Sequence, residues 1–379
     1  MKINKKLNIC FPFVGDSLGG SHFSTLDIIK NLNKKFFNPI IILHKKGILY
    51  NYLKQNNIIF SYIPIRDFAG KKKGIIINLK ILILNFFKIN RFIKNNNIEI
   101  VHSNDVSIHF NWVIPTKFSD SKFLWHLRTK FPNWNLYKFL ISYSDKIVCI
   151  SKYVRKTLPR RFYNNSSVIY NPIILNKRMI KQSEKKIISK LSKIKKKKIL
   201  FFSNIIESKK VDIFIKAAIN IYKNNDDFIF LIIGRDKFNI FKKIFSKIND
   251  NEFKRKLFYL GDCYNIKYWF KSSSLLISPA INEGHNRVIV ESMLSKLPVI
   301  ASNSGGHKES IINNKSGWLF KSGDYKNLSK LILNFFKLKK SEIKKIKGCA
   351  YKNSLKNFNI NQSLFKIEKL YKEILIKKI

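Results

Sequence analysis

Residues 278–291 read Ser278-Pro279-Ala280-Ile281-Asn282-Glu283-Gly284-His285-Asn286-Arg287-Val288-Ile289-Val290-Glu291. The short apolar run Leu275–Ser278 reads as a strand, the next residues as a loop with one carboxylate and one glycine, and the stretch from about Asn286 as a helix. At that helix start the unsatisfied backbone N–H groups and the dipole behind them form a place for an anion. Gly284 would let a ligand approach the backbone closely. Glu283 falls in the loop, and Glu291 about one and a half turns into the helix. Carboxylates accept well from paired hydroxyl groups. The plainer alternative is a capped helix carrying two solvated glutamates.

Working outward, the same strand–loop–helix unit repeats. Downstream come Val299–Ala301 and a small strand at Trp318–Phe320, then helical sequence from Lys326. Upstream come strand Ile199–Ser203, helix Val211–Tyr222, strand Phe228–Ile233, helix Ile240–Asn249, strand Leu257–Leu260 and a helix near Asn265–Lys271. An earlier series has strands at Leu7–Val14, Pro39–Leu43, Ile58–Ile63, Ile98–His102, Phe123–Leu127 and Lys146–Ile150, with a helix at Asn78–Lys94. It closes at Asn171-Pro172, since a residue before proline is biased to extended geometry. This alternation predicts βα units on parallel sheets, hence an α/β fold of two Rossmann-like, doubly wound domains facing a cleft. Expected domains are 1–172, a basic connector at 173–198, 199–355, and a C-terminal helix at 356–379 packing back on the first domain. The Lys-rich 176–198 is read as a helix and solvated connector with little that could pack.

The chain has 379 residues, 45% hydrophobic, enough for more than one core. Its 73 Lys and Arg against 23 Asp and Glu give a net charge of +50. Such charge suits nucleic-acid phosphates or anionic lipid. Lys, Asn, Ile and Phe are all abundant, however, and all are encoded by A/T-rich codons, so genome base composition accounts for much of the excess. No nucleic-acid motif accompanies the charge, and no nucleic-acid partner is expected. Cys10, Cys149, Cys263 and Cys349 are scattered without a CxxC pair, which argues against a disulfide scaffold or structural zinc. No apolar run approaches the ~20 residues of a membrane span. The N-terminal segment is a poor signal peptide. Gly74–Phe87, preceded by Lys71-Lys72-Lys73, is read as an ordinary core helix, with a membrane-surface element as the alternative.

The decisive stretch also resembles glycosyltransferase family 4, retaining enzymes of the GT-B fold that use nucleotide-sugar donors. The resemblance runs from Glu283-Gly284 through Val288-Ile289-Val290-Glu291-Ser292-Met293 and Leu297-Pro298-Val299-Ile300-Ala301-Ser302. It continues through Gly305-Gly306, Glu309, Ile311 and Gly317-Trp318-Leu319-Phe320. Upstream, Gly234, Leu260-Gly261 and Lys209 fall at family positions. In the first half Gly19-Gly20, Ile100-Val101-His102, Phe123-Leu124-Trp125-His126 and Ile147-Val148-Cys149-Ile150-Ser151 follow in order, and Val168-Ile169-Tyr170-Asn171-Pro172 resembles the inter-domain junction.

The resemblance implies roles by position. Glu291 would accept from the donor ribose, Glu283 would sit near the transferred sugar, and the amides from Gly284 through His285, Asn286 and Arg287 to Val288 would lie near sugar and diphosphate. Lys209 would neutralise the leaving diphosphate, Gly19 and Gly20 would bring amides to it, and His126 would lie close to the reaction centre. Negative charge grows on a departing diphosphate, so fixed N–H groups and a lysine stabilise that transition state. No D-x-D motif is present, and neither metal nor cofactor is expected. Ser203-Asn204 stands where the family usually has Gly-Arg. Either Arg287, Arg235 or another cation replaces that arginine, with Asn204 at its position, or diphosphate binding is weaker. Gly284-His285-Asn286 replaces the commoner E-G-F-G continuation, so His285 is a candidate for sugar preference. His22 is a candidate phosphate contact, and Arg128 a candidate contact to an anionic acceptor.

The expectation is a metal-independent, retaining hexosyltransferase of bacterial polysaccharide biosynthesis, taking a nucleotide-diphosphate sugar and a glycan or lipid-linked acceptor. It would be cytoplasmic, with peripheral attachment to the anionic inner face of the membrane. The alternatives are a degenerate, non-catalytic nucleotide-sugar-binding protein and a nucleotide-sugar epimerase or hydrolase on the same fold.

Overall fold

A computed structural model describes residues 5–376 apart from 66–74, 133, 176–181, 224 and 264. The chain divides into two compact units, one of 1–172 with 360–379 and one of 173–359. The first holds a seven-stranded sheet of β1 Leu7–Phe13, β2 Phe37–Leu43, β3 Ser61–Tyr62, β4 Ile100–Ser103, β5 Lys122–Leu127, β6 Lys146–Cys149 and β7 Ser166–Val168, in the order β3-β2-β1-β4-β5-β6-β7. The second holds a six-stranded sheet of β8 Lys197–Phe202, β9 Phe228–Ile233, β10 Leu257–Tyr259, β11 Leu275–Ser278, β12 Val299–Ser302 and β13 Trp318–Phe320, in the order β10-β9-β8-β11-β12-β13. All paired strands are parallel. Parallel sheets are covered on both faces, so their strands are continuous apolar runs. β9, Phe-Ile-Phe-Leu-Ile-Ile, is buried at every position. Both sheets reverse strand order once, between β1 and β4 and between β8 and β11, and the carboxyl ends of strands at such a point form a ligand crevice.

Four parts of the sequence reading change. The basic connector is part of the second unit. Helix Gln182–Ser192 buries Ile188 and Leu191 against Leu200, Leu231 and Trp269, and Lys197 and Lys198 already belong to β8. The lysines at 185, 186, 190 and 193 are exposed around that apolar stripe, so lysine density concealed a packing face. The helix Val106–Lys117, absent from the sequence reading, is buried from Ile108 to Val113; with apolar residues spread round it, and His109 and Asn111 among the buried ones, it lacks the one-sided period of a surface helix. The helix Ile75–Asn95 buries Ile81, Ile89 and Ile93 but leaves Ile83, Leu84 and Phe87 exposed, so it is more than a core helix. Lys71-Lys72-Lys73 lie outside the described residues. Among the described residues no helix is long and apolar enough to cross a membrane.

The C-terminal helix Ile360–Ile376 belongs to the first unit. Its Leu364, Ile367, Leu370, Tyr371 and Ile374 pack with Phe11 and Phe13 of β1, Ile100 of β4 and Leu124 of β5. The boundary lies at 359/360 rather than 355/356.

Candidate active site

In the second unit, the expected residues gather at the strand-order reversal. β8 ends at Phe202, and a short 3-10 turn at Glu207–Lys209 follows; β11 ends at Ser278, and the loop from Pro279 leads to helix Arg287–Leu294. The two loops are tied by the Ile281 amide donating to the Ser208 carbonyl at 2.9 Å. Across that tie the Lys209 ammonium forms an ion pair with the Glu283 carboxylate, both side chains mostly buried.

The Glu283 loop is held from behind by Gly305-Gly306. The Gly306 amide donates to the Glu283 carbonyl at 2.8 Å, and the Asn282 amide donates to Ser304 Oγ at 3.0 Å. Gly305 has φ +56°, and a Cβ there would overlap the Glu283 carbonyl oxygen; one on Gly306 would overlap that of Gly284. At the end of β9, Gly234 has φ +145° and leaves no room for a Cβ beside the Ser203 carbonyl, so the backbone leading to Asn204 passes close to it.

Asn286 caps the helix. Its Oδ1 accepts from the Val288 amide at 3.1 Å, and its Nδ2 donates to Ser278 Oγ at 2.9 Å and to His307 Nε2 at 3.3 Å. Its side chain is thus engaged in tying strand, loop and helix together. His307, at the start of the short helix His307–Ser310, is fully buried, and its Nδ1 donates to the Ser302 carbonyl at 3.0 Å. Burial holds its pKa down at about 4 against the opposing pull of Glu283 and the Ser302 carbonyl, with Lys209 adding to the lowering. A neutral imidazole therefore supports the loop from below. No spacing signal in the sequence marked it, because its partners come from β12 and Asn286.

One turn into the helix, Arg287 Nη2 and Nε approach Glu291 Oε1 at 3.2 and 3.3 Å, with both residues under a tenth exposed. His285 is buried, its ring 5.0 Å from that of Phe358. Gly284 is buried and Val288 half-buried, whereas Asn204 is exposed. Of the candidate replacement cations, Arg235 pairs with Asp262 at 2.6 Å and Arg287 with Glu291.

The other expected residues lie at the reversal in the first unit. Gly20 begins helix Gly20–Asn31, and the Gly19 amide donates to His22 Nδ1 at 3.0 Å, so that amide is already engaged. Burial, reinforced by Arg128, brings the His22 pKa down to about 4 despite Asp16. His126 on β5 and His102 on β4 are buried, with His126 Nδ1 2.8 Å from His102 Nε2. Arg128 is buried too; it donates to Asn104 Oδ1 at 2.6 Å, to Thr25 Oγ1 at 2.9 Å and to Asn171 Oδ1. His109 stacks on Trp125 with centroids 4.2 Å apart and meets Ser103 Oγ at 2.6 Å.

Two family models cover nearly the whole chain in succession: Glycosyltransferase Family 4 at residues 18–177 and Glycosyl transferases group 1 at 182–351. The chain belongs to glycosyltransferase family 4. Among family relatives, an uncharacterized glycosyltransferase of Methanocaldococcus jannaschii is 28% identical over 63% of this chain and 62% of its own length. The matched part thus spans less than two thirds of that relative. A capsular polysaccharide biosynthesis glycosyltransferase of Staphylococcus aureus, CapH, is 22% identical over 75% of this chain and 78% of its own. HepE of Anabaena, solved in complex with UDP-glucose, superposes with a TM-score of 0.79 at 17% identity, over 97% of this chain and 100% of HepE. The fold of this family 4 chain is GT-B.

Proposed function

We propose that this chain is a retaining glycosyltransferase. It takes a hexose from a nucleotide-diphosphate sugar, without a metal, and passes it to a bacterial surface glycan or its lipid-linked precursor. The observation that carries the reading is the Lys209–Glu283 pair at the strand-order reversal, next to the N-terminus of helix Arg287–Leu294. The complex of HepE with UDP-glucose supports the donor class, and the polysaccharide assignment of CapH supports the acceptor class.

In the proposed reaction the bond from the anomeric carbon to the diphosphate oxygen breaks, the acceptor oxygen bonds that carbon, and the acceptor's proton passes to the departing diphosphate oxygen. Lys209 exchanges Glu283 for the diphosphate, whose growing charge it offsets together with the helix-start amides from Gly284 to Arg287, the Val288 amide being held by the Asn286 cap. Glu283, released, faces the sugar; Glu291 accepts from the ribose hydroxyls. Gly19, Gly20 and His126 are assigned by position to the diphosphate and the sugar. The exposed Asn204 favours a second reading, a nucleotide-sugar-binding protein that no longer catalyses transfer.

The test is a thermal-shift screen against UDP, GDP, ADP, CMP and dTDP without metal. A nucleotide at 100 times its dissociation constant adds about 2.7 kcal/mol. One responding nucleotide, followed by sugar transfer to a glycan acceptor with retained configuration in EDTA, is expected. Binding without transfer supports the second reading, sugar release or isomerisation without an acceptor points to the epimerase or hydrolase alternative, and no response overturns the donor site.

Peripheral attachment is assigned to helix Ile75–Asn95, where exposed Ile83, Leu84 and Phe87 alternate with exposed Lys80, Lys88 and Arg91. Sedimentation with phosphatidylglycerol vesicles but not phosphatidylcholine vesicles, weakened by Phe87→Ser, is the expected result. Equal recovery with both vesicles would remove the assignment.

A further inference from the structure

β4 and β5 run parallel with His102 opposite Leu124, so His102 and His126 project from the same face of the sheet, one rung apart. That face is covered by the C-terminal helix, whose Tyr371 is fully buried. The Tyr371 hydroxyl lies 2.6 Å from His102 Nδ1, and His102 Nε2 lies 2.8 Å from His126 Nδ1. At the end of this row, His126 Nε2 is buried and has no hydrogen-bond partner among the described residues.

The direction of the row follows from polar satisfaction. A buried hydroxyl hydrogen without an acceptor is costly. Tyr371 therefore donates to His102 Nδ1, which places the His102 proton on Nε2. That N–H donates to His126 Nδ1, which places the His126 proton on Nε2. The reverse order makes the phenolic oxygen the acceptor and leaves two groups unsatisfied, the phenolic hydrogen and His126 Nε2, where the first order leaves only His126 Nε2–H. An imidazolium at His102 does the same and sets a second buried cation near Arg128. The charged and titratable neighbours among the described residues are Arg128 just past the end of β5, His109 on helix Val106–Lys117 and, beside Tyr371, Glu368 on the C-terminal helix. Burial, then Arg128 and His109, depress the pKa of His102 well below its ordinary value, while burial and Glu368 keep the Tyr371 phenol protonated.

We propose that Tyr371 is a positioning residue that acts through His102 to fix His126 as the Nε2–H tautomer, a neutral donor offered to a substrate oxygen. This rests on the glycosyl-transfer reading for its substrate, while the tautomer itself can be read without any turnover.

The experiment is long-range ¹H–¹⁵N correlation of the histidine rings in the full-length protein at neutral pH, on wild type and Tyr371→Phe. Wild type should show Nε2 protonated and Nδ1 bare at both His102 and His126. Tyr371→Phe should introduce an Nδ1–H population at His126 and lower the transfer rate about tenfold, leaving the nucleotide-induced thermal shift intact. A proton on His126 Nδ1 in wild type overturns the proposal even if the variant does not fold. So does a folded Tyr371→Phe protein whose tautomers and rate match wild type. A wild type that transfers no sugar would instead sink the glycosyl-transfer reading, and the ring spectra would still decide the relay.

Discussion

The two strand-order reversals share a topology but solve the problem of polar groups at a buried strand end differently. At β1/β4, the first unit assembles His22, His102, His109 and His126 around Arg128, whose recorded acceptors are the amide and hydroxyl oxygens of Asn104, Asn171 and Thr25. Burial and Arg128 together keep all four imidazoles neutral at pH 7. At β8/β11, the second unit instead pairs opposite charges, Lys209 with Glu283 and Arg287 with Glu291. Neutral hydrogen-bond rows set direction and tautomer, whereas ion pairs hold charges that a charged ligand can take over. On this reading the second unit is built to exchange one anion for another, and the first to present oriented donors.

The largest expected effect breaks the second unit's buried pair. Glu291→Ala leaves Arg287 buried without its carboxylate and should cost about 3 to 5 kcal/mol in denaturant unfolding. It should also abolish the nucleotide-induced thermal shift. Glu291→Gln, which keeps an acceptor, should lose less stability and still lose most nucleotide response. Full response in both would remove Glu291 from the donor site. Next, Lys209→Met should slow transfer by about 10² to 10³, the range for removing one preorganised donor at a developing charge. Glu283→Gln keeps a hydrogen bond to Lys209 and should slow it less. Equal rates in wild type and Lys209→Met would break the anion-exchange half of the comparison.

Acid tests the neutral imidazoles of both units at once. For a histidine whose folded pKa is depressed, the unfolded chain binds the extra proton first, so stability is full above the unfolded value of about 6.5 and falls as pH drops through the folded one. His307, at about 4, should therefore lose about 3 kcal/mol of contribution between pH 6.5 and 4. His22 and His44, also at about 4, act in the same direction and window. Melting temperatures from pH 7 to 4.5 should decline in wild type and more gently in His307→Gln. A flat wild-type profile would mean that the buried imidazoles are not neutral, and would remove the first unit's half of the comparison.

Much of the second unit's fold is legible in the sequence, for a definable reason. Helix Val211–Tyr222 and strands Phe228–Ile233, Leu275–Ser278 and Trp318–Phe320 occur at the expected residues, because one-sided or continuous apolar runs encode them locally. The pairing of Lys209 with Glu283 was not legible. They are 74 residues apart, and only the β8–β11 pairing brings their loops together. His307 was invisible as a site residue because its whole role is to satisfy Ser302 and Asn286. Nothing in the sequence distinguishes Tyr371 from the other residues on the apolar face of the terminal helix, since its hydroxyl acquires meaning only through His102, 269 residues away.

The smallest effects test whether the second unit's geometry depends on its backbone clamp. Gly305→Ala puts a Cβ at φ +56° and against the Glu283 carbonyl, where the obstructing group is backbone that cannot swing aside. It should cost about 1 to 3 kcal/mol and weaken nucleotide binding, because relief of the overlap moves the loop that holds Glu283 against Lys209. Gly348→Ala is the matched control. Gly348 lies inside helix Lys340–Asn357 with nothing within 4 Å of an added Cβ, so the change should stabilise by about 0.5 to 1 kcal/mol and leave nucleotide response alone. If Gly305→Ala lost stability but bound nucleotide normally, the charges could find each other without a fixed loop. The second unit would then differ from the first in rigidity as well as in charge.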